Sequence, residues 1–157
     1  TNGIQALDLL GRKLWQSEGK GLQVLMARVS GDMKAATTPR AQALAAKLKP
    51  YLDQRGGLIQ QAAGYLRSDK QAVLLTNASC FLNIFSACVV SWIWLRQANV
   101  AEQALANGAS GQDGDFYEGK MAAAEYFLNW ELPLVKRDIE VITSQEPTCE
   151  NVKASYF

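Results

Sequence analysis

The sequence contains no histidine at all. Histidine is the usual general base beside a nucleophilic serine or cysteine, and it is the commonest metal ligand in proteins. Its absence excludes Ser–His and Cys–His catalytic arrangements and removes the most frequent ligand of transition metals.

Cysteine and net charge are also scarce. The three cysteines, Cys80, Cys88 and Cys149, form no Cys-x-x-Cys pair, and their odd number argues against the disulfide framework of a secreted protein. We therefore expect a reducing compartment, the cytoplasm. With 16 Lys and Arg against 15 Asp and Glu, no strong field of one sign favours nucleic acid or an anionic membrane as a partner.

Alternation of apolar and polar residues, which is typical of β-strands, is missing as well. Ala, Leu, Gln, Glu and Lys are abundant, and these residues favour helices. A chain of 157 residues is long enough to bury a core of its own. The sequence therefore predicts an all-α fold, an up-and-down helical bundle of about five or six helices.

Prolines and small residues set the predicted helix boundaries. Thr38 and Pro39 form a cap and first-turn pair at the start of a helix. Pro50 should bend or break that helix, and Pro133 should kink the last one, because proline lacks an N–H group. A loop rich in glycine is expected at residues 107–114. The predicted helices cover residues 3–15, 22–36, 39–49 with 50–67, 70–106 and 116–144.

One stretch, residues 72–95, contains no charged side chain and is long enough to cross a bilayer. Polar side chains are nevertheless spread through it, and lipid would leave them without hydrogen-bond partners. We therefore predict a buried core helix with no membrane span, and a membrane-anchored protein is the alternative. The polar residues in the stretch are Thr76, Asn77, Ser79, Asn83, Ser86 and Ser91.

The most specific pattern lies at the start of the chain, where residues 1–13 read Thr-Asn-Gly-Ile-Gln-Ala-Leu-Asp-Leu-Leu-Gly-Arg-Lys. The pattern predicts the start of a helix, with Asn2 as the cap and Gln5 reaching back to it. It also resembles the segment that follows the catalytic glutamate of the acyl-CoA dehydrogenases. The resemblance is greatest to a bacterial branch that includes the 3-methylmercaptopropionyl-CoA dehydrogenase type.

Later segments support the resemblance more loosely. Residues 91–98, with their two tryptophans, and residues 116–133 are similar to the extra C-terminal helical domain of the same branch. The resemblance then implies a division of the chain into residues 1–69, 70–146 and 147–157. These would be the end of the dehydrogenase C-terminal helical domain, an additional C-terminal helical hairpin, and a tail.

The resemblance implies a parent enzyme that desaturates the α,β bond of an acyl-CoA thioester and transfers a hydride to FAD. The catalytic glutamate would lie two residues before Thr1, so the residues encoded just upstream should end in Glu-Gly. This chain would then carry no catalytic residue and would be inactive alone. Thr1, Asn2 and Gly3 would form the edge of the FAD site, because a helix N-terminus suits anionic phosphates; simple helix capping is the alternative for Asn2.

The implied partners are the rest of the dehydrogenase chain, the acyl-CoA substrate and further copies of the enzyme in a homo-oligomer. A different class of function competes with this hypothesis. The chain could be a non-enzymatic helical module for assembly or interaction, because exposed helix faces bind other proteins.

Three further groups of residues allow a functional interpretation, and we favour a structural one for each. The triplet Tyr117-Glu118-Gly119 repeats a family motif, but Lys120 follows it instead of threonine; we interpret Glu118 as an acidic residue in a first helical turn.

The aromatic residues at helical spacing either line an acyl pocket or form core, and core is the commoner outcome. These aromatic residues are Trp92, Trp94, Tyr126, Phe127 and Trp130. The third group is acidic and predicts no metal site, because its members share no helical face; it comprises Glu125, Glu131 and Asp138.

Overall fold

The structure is a computed structural model that describes every residue from Thr1 to Phe157. It contains α-helices and short 3₁₀ and π segments but no β-strand. Six of the α-helices have eight residues or more, so the predicted all-α class with about six helices is confirmed. The α-helices are α1 (Asn2–Gly11), α2 (Lys20–Lys34), α3 (Pro39–Tyr65), α4 (Gln71–Thr76), α5 (Ala78–Ala106), α6 (Gly111–Tyr126), α7 (Lys136–Thr143) and α8 (Thr148–Asn151).

The chain divides into two compact units. Unit 1 contains residues 1–22, 54–86 and 135–157, and unit 2 contains residues 23–53 and 87–134. The long helices α3 and α5 contribute residues to both units. The boundaries at residues 69 and 146 follow the family resemblance rather than compactness, and they stay a prediction.

The core of unit 1 is apolar but also contains two buried charged side chains, those of Asp138 and Arg55. Asn83 donates a hydrogen bond to the buried carboxylate of Asp138 at 3.1 Å. Arg55 is fully buried, with its guanidinium 5.5 Å from the ring centre of Phe85. The apolar core of this unit includes Ala6, Leu10, Leu14, Leu58, Ile59, Ala62, Val73, Leu74, Ala78, Phe81, Ile84, Val135 and Ile142.

Asn77 divides the helix that the sequence predicts over residues 70–106. Its side-chain amide donates to the backbone carbonyl of Val73 at 3.1 Å and to that of Glu146 at 2.9 Å. An asparagine side chain competes in this way with the backbone for helical hydrogen bonds. The single long helix was therefore wrong, and α4 ends at Thr76 before α5 begins at Ala78.

The start of the chain also differs from expectation. Thr1, not Asn2, is the N-cap of α1, and no side chain forms a capping hydrogen bond there. The predicted capping box between Asn2 and Gln5 is therefore wrong. The helix ends at Gly11 and not near Trp15, because the backbone leaves helical geometry at Arg12, with φ −135°. A 3₁₀ segment at Lys13–Gly19 follows, and the chain turns there through Ser17, Glu18 and Gly19 with left-handed φ values of 49°, 57° and 74°.

The two prolines behave differently. α3 continues through Pro50 as one helix, so a break at Pro50 was wrong, and a bend there stays a prediction. Pro50 and Ala46, whose carbonyl loses its helical partner, are both exposed, and water can satisfy that carbonyl. Near Pro133 the predicted irregularity is confirmed, since a π segment (Phe127–Glu131) and a 3₁₀ segment (Leu132–Val135) separate α6 from α7.

Parts of the predicted loop and of the predicted tail are helical. The loop covers only residues 107–110, and Gly111 to Gly114 already belong to α6. A Cβ at Gly114 would lie 3.2 Å from the Ala109 carbonyl oxygen, a tight contact that favours glycine at this position. The tail contains α8 and a 3₁₀ turn at Ala154–Tyr156.

α5 is long and apolar enough, by length and composition alone, to cross a membrane. The core helix of a soluble protein passes the same test, so a single helix of this kind weighs little. Many of its residues, such as Phe81, Leu95 and Ala98, are fully buried in the cores of the two units. The absence of a membrane span stays a prediction.

In unit 2, a carboxylate of α5 caps the N-terminus of α3. Glu102 accepts hydrogen bonds from the backbone N–H groups of Arg40 at 3.2 Å and Ala41 at 2.8 Å, and from the Thr38 hydroxyl. The start of α3 at Pro39 is confirmed. A carboxylate at this position satisfies N–H groups that lack helical partners and complements the helix dipole.

The side chain of Arg40 extends the same network to α6. Its guanidinium donates to Glu118 at 2.8 Å and to Glu125 at 3.0 Å. Burial alone would raise the pKa of Glu102, but the hydrogen bonds from Thr38, Ala41 and Arg40 together outweigh burial and lower it below 4.5. Within unit 2, α3, α5 and α6 are thus joined by one charged cluster.

Replacing the capping carboxylate should destabilise the chain. We expect Glu102→Ala to lower the free energy of unfolding by about 1–2 kcal/mol, because the N-terminal N–H groups of α3 lose their acceptor. Urea unfolding followed by circular dichroism measures this change. The control is Glu140→Ala on an exposed position of α7, which should change stability by less than about 0.5 kcal/mol.

The contribution of Glu102 should also depend on pH. Because its folded-state pKa lies below the unfolded value near 4.5, its stabilisation is complete above about pH 4.5 and is lost as pH falls through the folded pKa. The stability difference between the native chain and Glu102→Gln should therefore shrink between pH 6 and pH 3. An unchanged difference over that range would contradict the capping role.

Candidate functional site

The three residues predicted at the cofactor edge lie together at the N-terminus of α1. Thr1 is the N-cap, Asn2 and Gly3 are the first helical residues, and all three are exposed. The first backbone hydrogen bond of the helix runs from the Gln5 N–H to the Thr1 carbonyl at 3.0 Å. The N–H groups before Gln5 have no helical acceptor, so this end of α1 presents donors and a positive dipole end to solvent.

Gly3 leaves open space beside the backbone. A Cβ at this position would have no heavy atom within 4 Å, so nothing in the chain itself requires glycine there. Bare backbone without a neighbouring side chain suits the close approach of another molecule. The geometry is compatible with a phosphate-bearing cofactor at this helix end and forms only one edge of such a site.

A groove of about 510 Å³ lies in unit 1 beside the same end of α1. It combines apolar walls with the hydroxyls of Thr76 and Ser79, and it contains no ionisable side chain. The nearest acid along α1, Asp8, is paired with Arg12 at 2.6 Å, and this hydrogen bond lowers the pKa of Asp8. The groove can bind a molecule but supplies no general acid or base. Its walls are formed by Gly3, Leu7, Ala72, Leu75, Thr76, Ala78 and Ser79.

The Tyr117-Glu118-Gly119 triplet lies within α6 and not at its start, so the interpretation of Glu118 as a first-turn acid was wrong. Asp113 occupies that position, because α6 begins at Gly111. Glu118 is instead an ion-pair partner of Arg40. Its carboxylate has a structural role in the charged cluster of unit 2.

The aromatic residues are divided between core and surface. Trp92 is buried, as predicted, and donates to Asp32 at 2.7 Å, whereas Trp94 and Phe127 are partly buried. Tyr126 and Trp130 are 55% and 69% exposed and stack with ring centres 6.4 Å apart, so the core prediction was wrong for this pair. The π segment shifts the register of Trp130 away from the 3.6-residue period on which the prediction rested.

Two acids of the predicted acidic group and one thiol interact with neighbouring side chains. Glu131 accepts a hydrogen bond from Tyr126 at 2.9 Å, and Asp138 accepts one from Arg137 at 2.5 Å. Burial, and next the nearby charge of Asp138, raise the pKa of the Cys80 thiol, which keeps it protonated and unreactive. Cys88 is buried, Cys80 is partly buried and Cys149 is exposed.

Sequence reasoning missed a second groove, which lies in unit 2 and has basic and aromatic walls. Its residues come from α2, α5 and α6, so no single segment reveals it. The sequence indicates only parts of this groove, through two pairs of an aromatic residue and a cation at i,i+4 spacing. These pairs are Trp92 with Arg96 and Phe116 with Lys120.

Comparison with known proteins identifies the family. A family model described as "Acetyl-CoA dehydrogenase C-terminal like" matches residues 25–153. The chain is also 34% identical over 152 residues to the broad-specificity linear acyl-CoA dehydrogenase FadE5 of Mycobacterium tuberculosis, covering 90% of this chain and 24% of that protein. The chain thus spans about a quarter of the length of this curated relative. It belongs to the acyl-CoA dehydrogenase C-terminal-like family of helical domains.

Proposed function

We propose that this chain is the C-terminal helical part of an FAD-dependent enzyme that desaturates the α,β bond of an acyl-CoA thioester. The similarity to an acyl-CoA dehydrogenase over 90% of the chain carries this proposal. The catalytic glutamate then lies in the longer protein, two residues before Thr1. The N-terminal pattern supports the 3-methylmercaptopropionyl-CoA dehydrogenase branch, and we propose the cytoplasm as the compartment.

In this proposal Thr1, Asn2 and Gly3 form the edge of the FAD site. When bound, FAD accepts the hydride that leaves the β-carbon. The contribution of the chain is to donate hydrogen bonds from the first turn of α1, where no side chain competes for them. Residues 1–69 would complete the dehydrogenase helical domain, residues 70–146 would add a hairpin to it, and residues 147–157 would form the tail.

Substitution of Gly3 tests the cofactor edge. In the longer protein we expect Gly3→Ala to weaken flavin retention about tenfold, because a methyl group keeps the cofactor from the backbone donors. The matched control is Gly119→Ala in α6, where a Cβ also meets nothing within 4 Å. Both changes should leave the fold intact, since alanine is the better helix former.

The measurement is the flavin absorbance per protein after gel filtration, together with the flavin released on denaturation. A colourless longer protein that neither releases flavin nor reduces a dye with an acyl-CoA would overturn the proposed function. A yellow protein in which Gly3→Ala and Gly119→Ala retain flavin equally would overturn the cofactor edge alone.

An exposed apolar patch supports oligomer or domain contacts, and it also favours the alternative of an assembly module. Tyr126, Trp130 and Leu134 are 55%, 69% and 70% exposed. Apolar patches of this kind mark surfaces that bind other proteins. The patch lies within unit 2 on α6 and the irregular segments after it.

Sedimentation velocity tests this surface. We expect the 157-residue chain to self-associate as its concentration rises, and Trp130→Gln to reduce the association constant about tenfold. The control is Phe157→Gln, which removes an aromatic ring that is fully exposed outside this patch and should have no effect. A chain that stays monomeric at every concentration would contradict the oligomer contact and the assembly alternative.

A further inference from the structure

Two of the three cysteines lie near each other in unit 1, although they are distant in sequence. The side-chain amide of Asn77 donates to the backbone carbonyl of Glu146 at 2.9 Å, and this bond holds the start of the tail at the junction of α4 and α5. Cys80 follows Asn77 by three residues, and Cys149 follows Glu146 by three residues. Each thiol therefore lies about one helical turn beyond the same hydrogen bond, in the first turn of α5 or of α8.

Packing and electrostatics agree with this placement. α8, which carries Cys149, packs against α4, which ends just before Asn77. Burial is the main cause that raises the pKa of the Cys80 thiol, and the nearby charges of Asp138 and Cys149 raise it further. Because electrostatic interactions weaken with distance, the contribution of Cys149 indicates that its sulfur lies near that of Cys80.

The two thiols differ in their access to solvent. Cys149 is exposed, whereas Cys80 is partly buried. Neither α8 nor the 3₁₀ turn after it contains a buried residue, and segments with few buried contacts open at a low free-energy cost. A disulfide needs Cα atoms within about 7 Å of each other. A tail with so little burial can adjust to that distance without disrupting the core of unit 1.

Oxidation by a peroxide would therefore begin at Cys149. The peroxide transfers one oxygen atom to the Cys149 sulfur as its O–O bond breaks, which gives a sulfenic acid and an alcohol, or water from hydrogen peroxide. The Cys80 sulfur then attacks the Cys149 sulfur, the S–S bond forms, and the hydroxyl group of the sulfenic acid leaves as water with the proton of the Cys80 thiol. The two thiols together lose the two electrons that reduce the peroxide.

The order of these two steps follows from the surroundings of Cys80. Its raised pKa and partial burial keep it from reacting with a peroxide directly. A sulfenic acid on Cys149 would instead present an electrophile at short range, and proximity compensates for a small fraction of thiolate.

We propose that Cys149 is a site of modification by peroxides, and that Cys80 converts its sulfenic acid into a disulfide that ties α8 to the start of α5. Cys88 takes no part, because it is buried in unit 2 and its thiol donates to the carbonyl of Tyr51 at 3.7 Å. In a reducing compartment a disulfide of this kind is transient and is typical of redox sensing. The proposal goes beyond the proposed desaturation and does not depend on the flavin site.

Peptide mapping of the 157-residue chain after treatment with hydrogen peroxide tests the pair. We expect an intramolecular link between Cys80 and Cys149, a mass lower by two hydrogen atoms, and full reversal by dithiothreitol. Cys149→Ser should abolish the link, and Cys80→Ser should leave a sulfenic acid on Cys149 that dimedone captures. The control, Cys88→Ala, should form the link at an unchanged rate.

The hydrogen bond that anchors the tail supplies a second test. Asn77→Ala should slow formation of the link about tenfold, because Glu146 is then no longer held beside α5. The matched control is Asn99→Ala, since Asn99 is also 8% exposed and also donates to a backbone carbonyl, but in unit 2. Both variants retain all three cysteines, and circular dichroism checks that each one folds.

Three results would overturn the proposal. The first is a link formed only between the Cys149 residues of two chains, and the second is oxidation of Cys149 in the native chain without a link to Cys80. The third is an equal rate of link formation in folded Asn77→Ala and Asn99→Ala. Since the native chain itself carries the pair, the mapping decides the proposal even if a variant does not fold.

Discussion

The carboxylate of Glu102 at the N-terminus of α3 is the interaction on which unit 2 most depends. It satisfies the backbone donors of Arg40 and Ala41, which otherwise lack acceptors at a helix start. Because the Arg40 backbone is held by α5, its side chain is placed between Glu118 and Glu125 of α6. Glu102 and Arg40 together join three helices that are distant in sequence, and they leave Glu118 and Glu125 of α6 in structural ion pairs.

The N-terminal backbone N–H groups of α1, unlike those of α3, have no side-chain acceptor. No side chain caps that helix, and the space beside Gly3 is open. At α3 the chain satisfies its own N-terminal donors, whereas at α1 it leaves them to solvent or to another molecule. This contrast between two helix starts is the structural support for a cofactor edge at Thr1, Asn2 and Gly3, in a family whose name is that of a dehydrogenase.

The acids within the chain are largely committed to its architecture. Asp138 accepts from Asn83 and Arg137, Glu131 accepts from Tyr126, and the pKa of Cys80 is raised by burial and by Asp138. The hydrogen bonds of these groups lie within the chain. The backbone donors at the start of α1, in contrast, remain exposed and without a side-chain acceptor.

Local pattern was sufficient for the helical class, for the start of α3 at Thr38 and Pro39, and for the family, whose signal is a linear string of residues. Tertiary structure alone decided the break at Asn77, the continuity of α3 through Pro50 and the exposure of Trp130. Asn77 ends α4 because a carbonyl at Glu146 accepts from it, and Pro50 is tolerated because its side of α3 faces water. The sequence by itself determined which segments are helical and apolar. The tertiary structure decided which polar groups form hydrogen bonds with each other, because the donors and acceptors lie tens of residues apart in sequence.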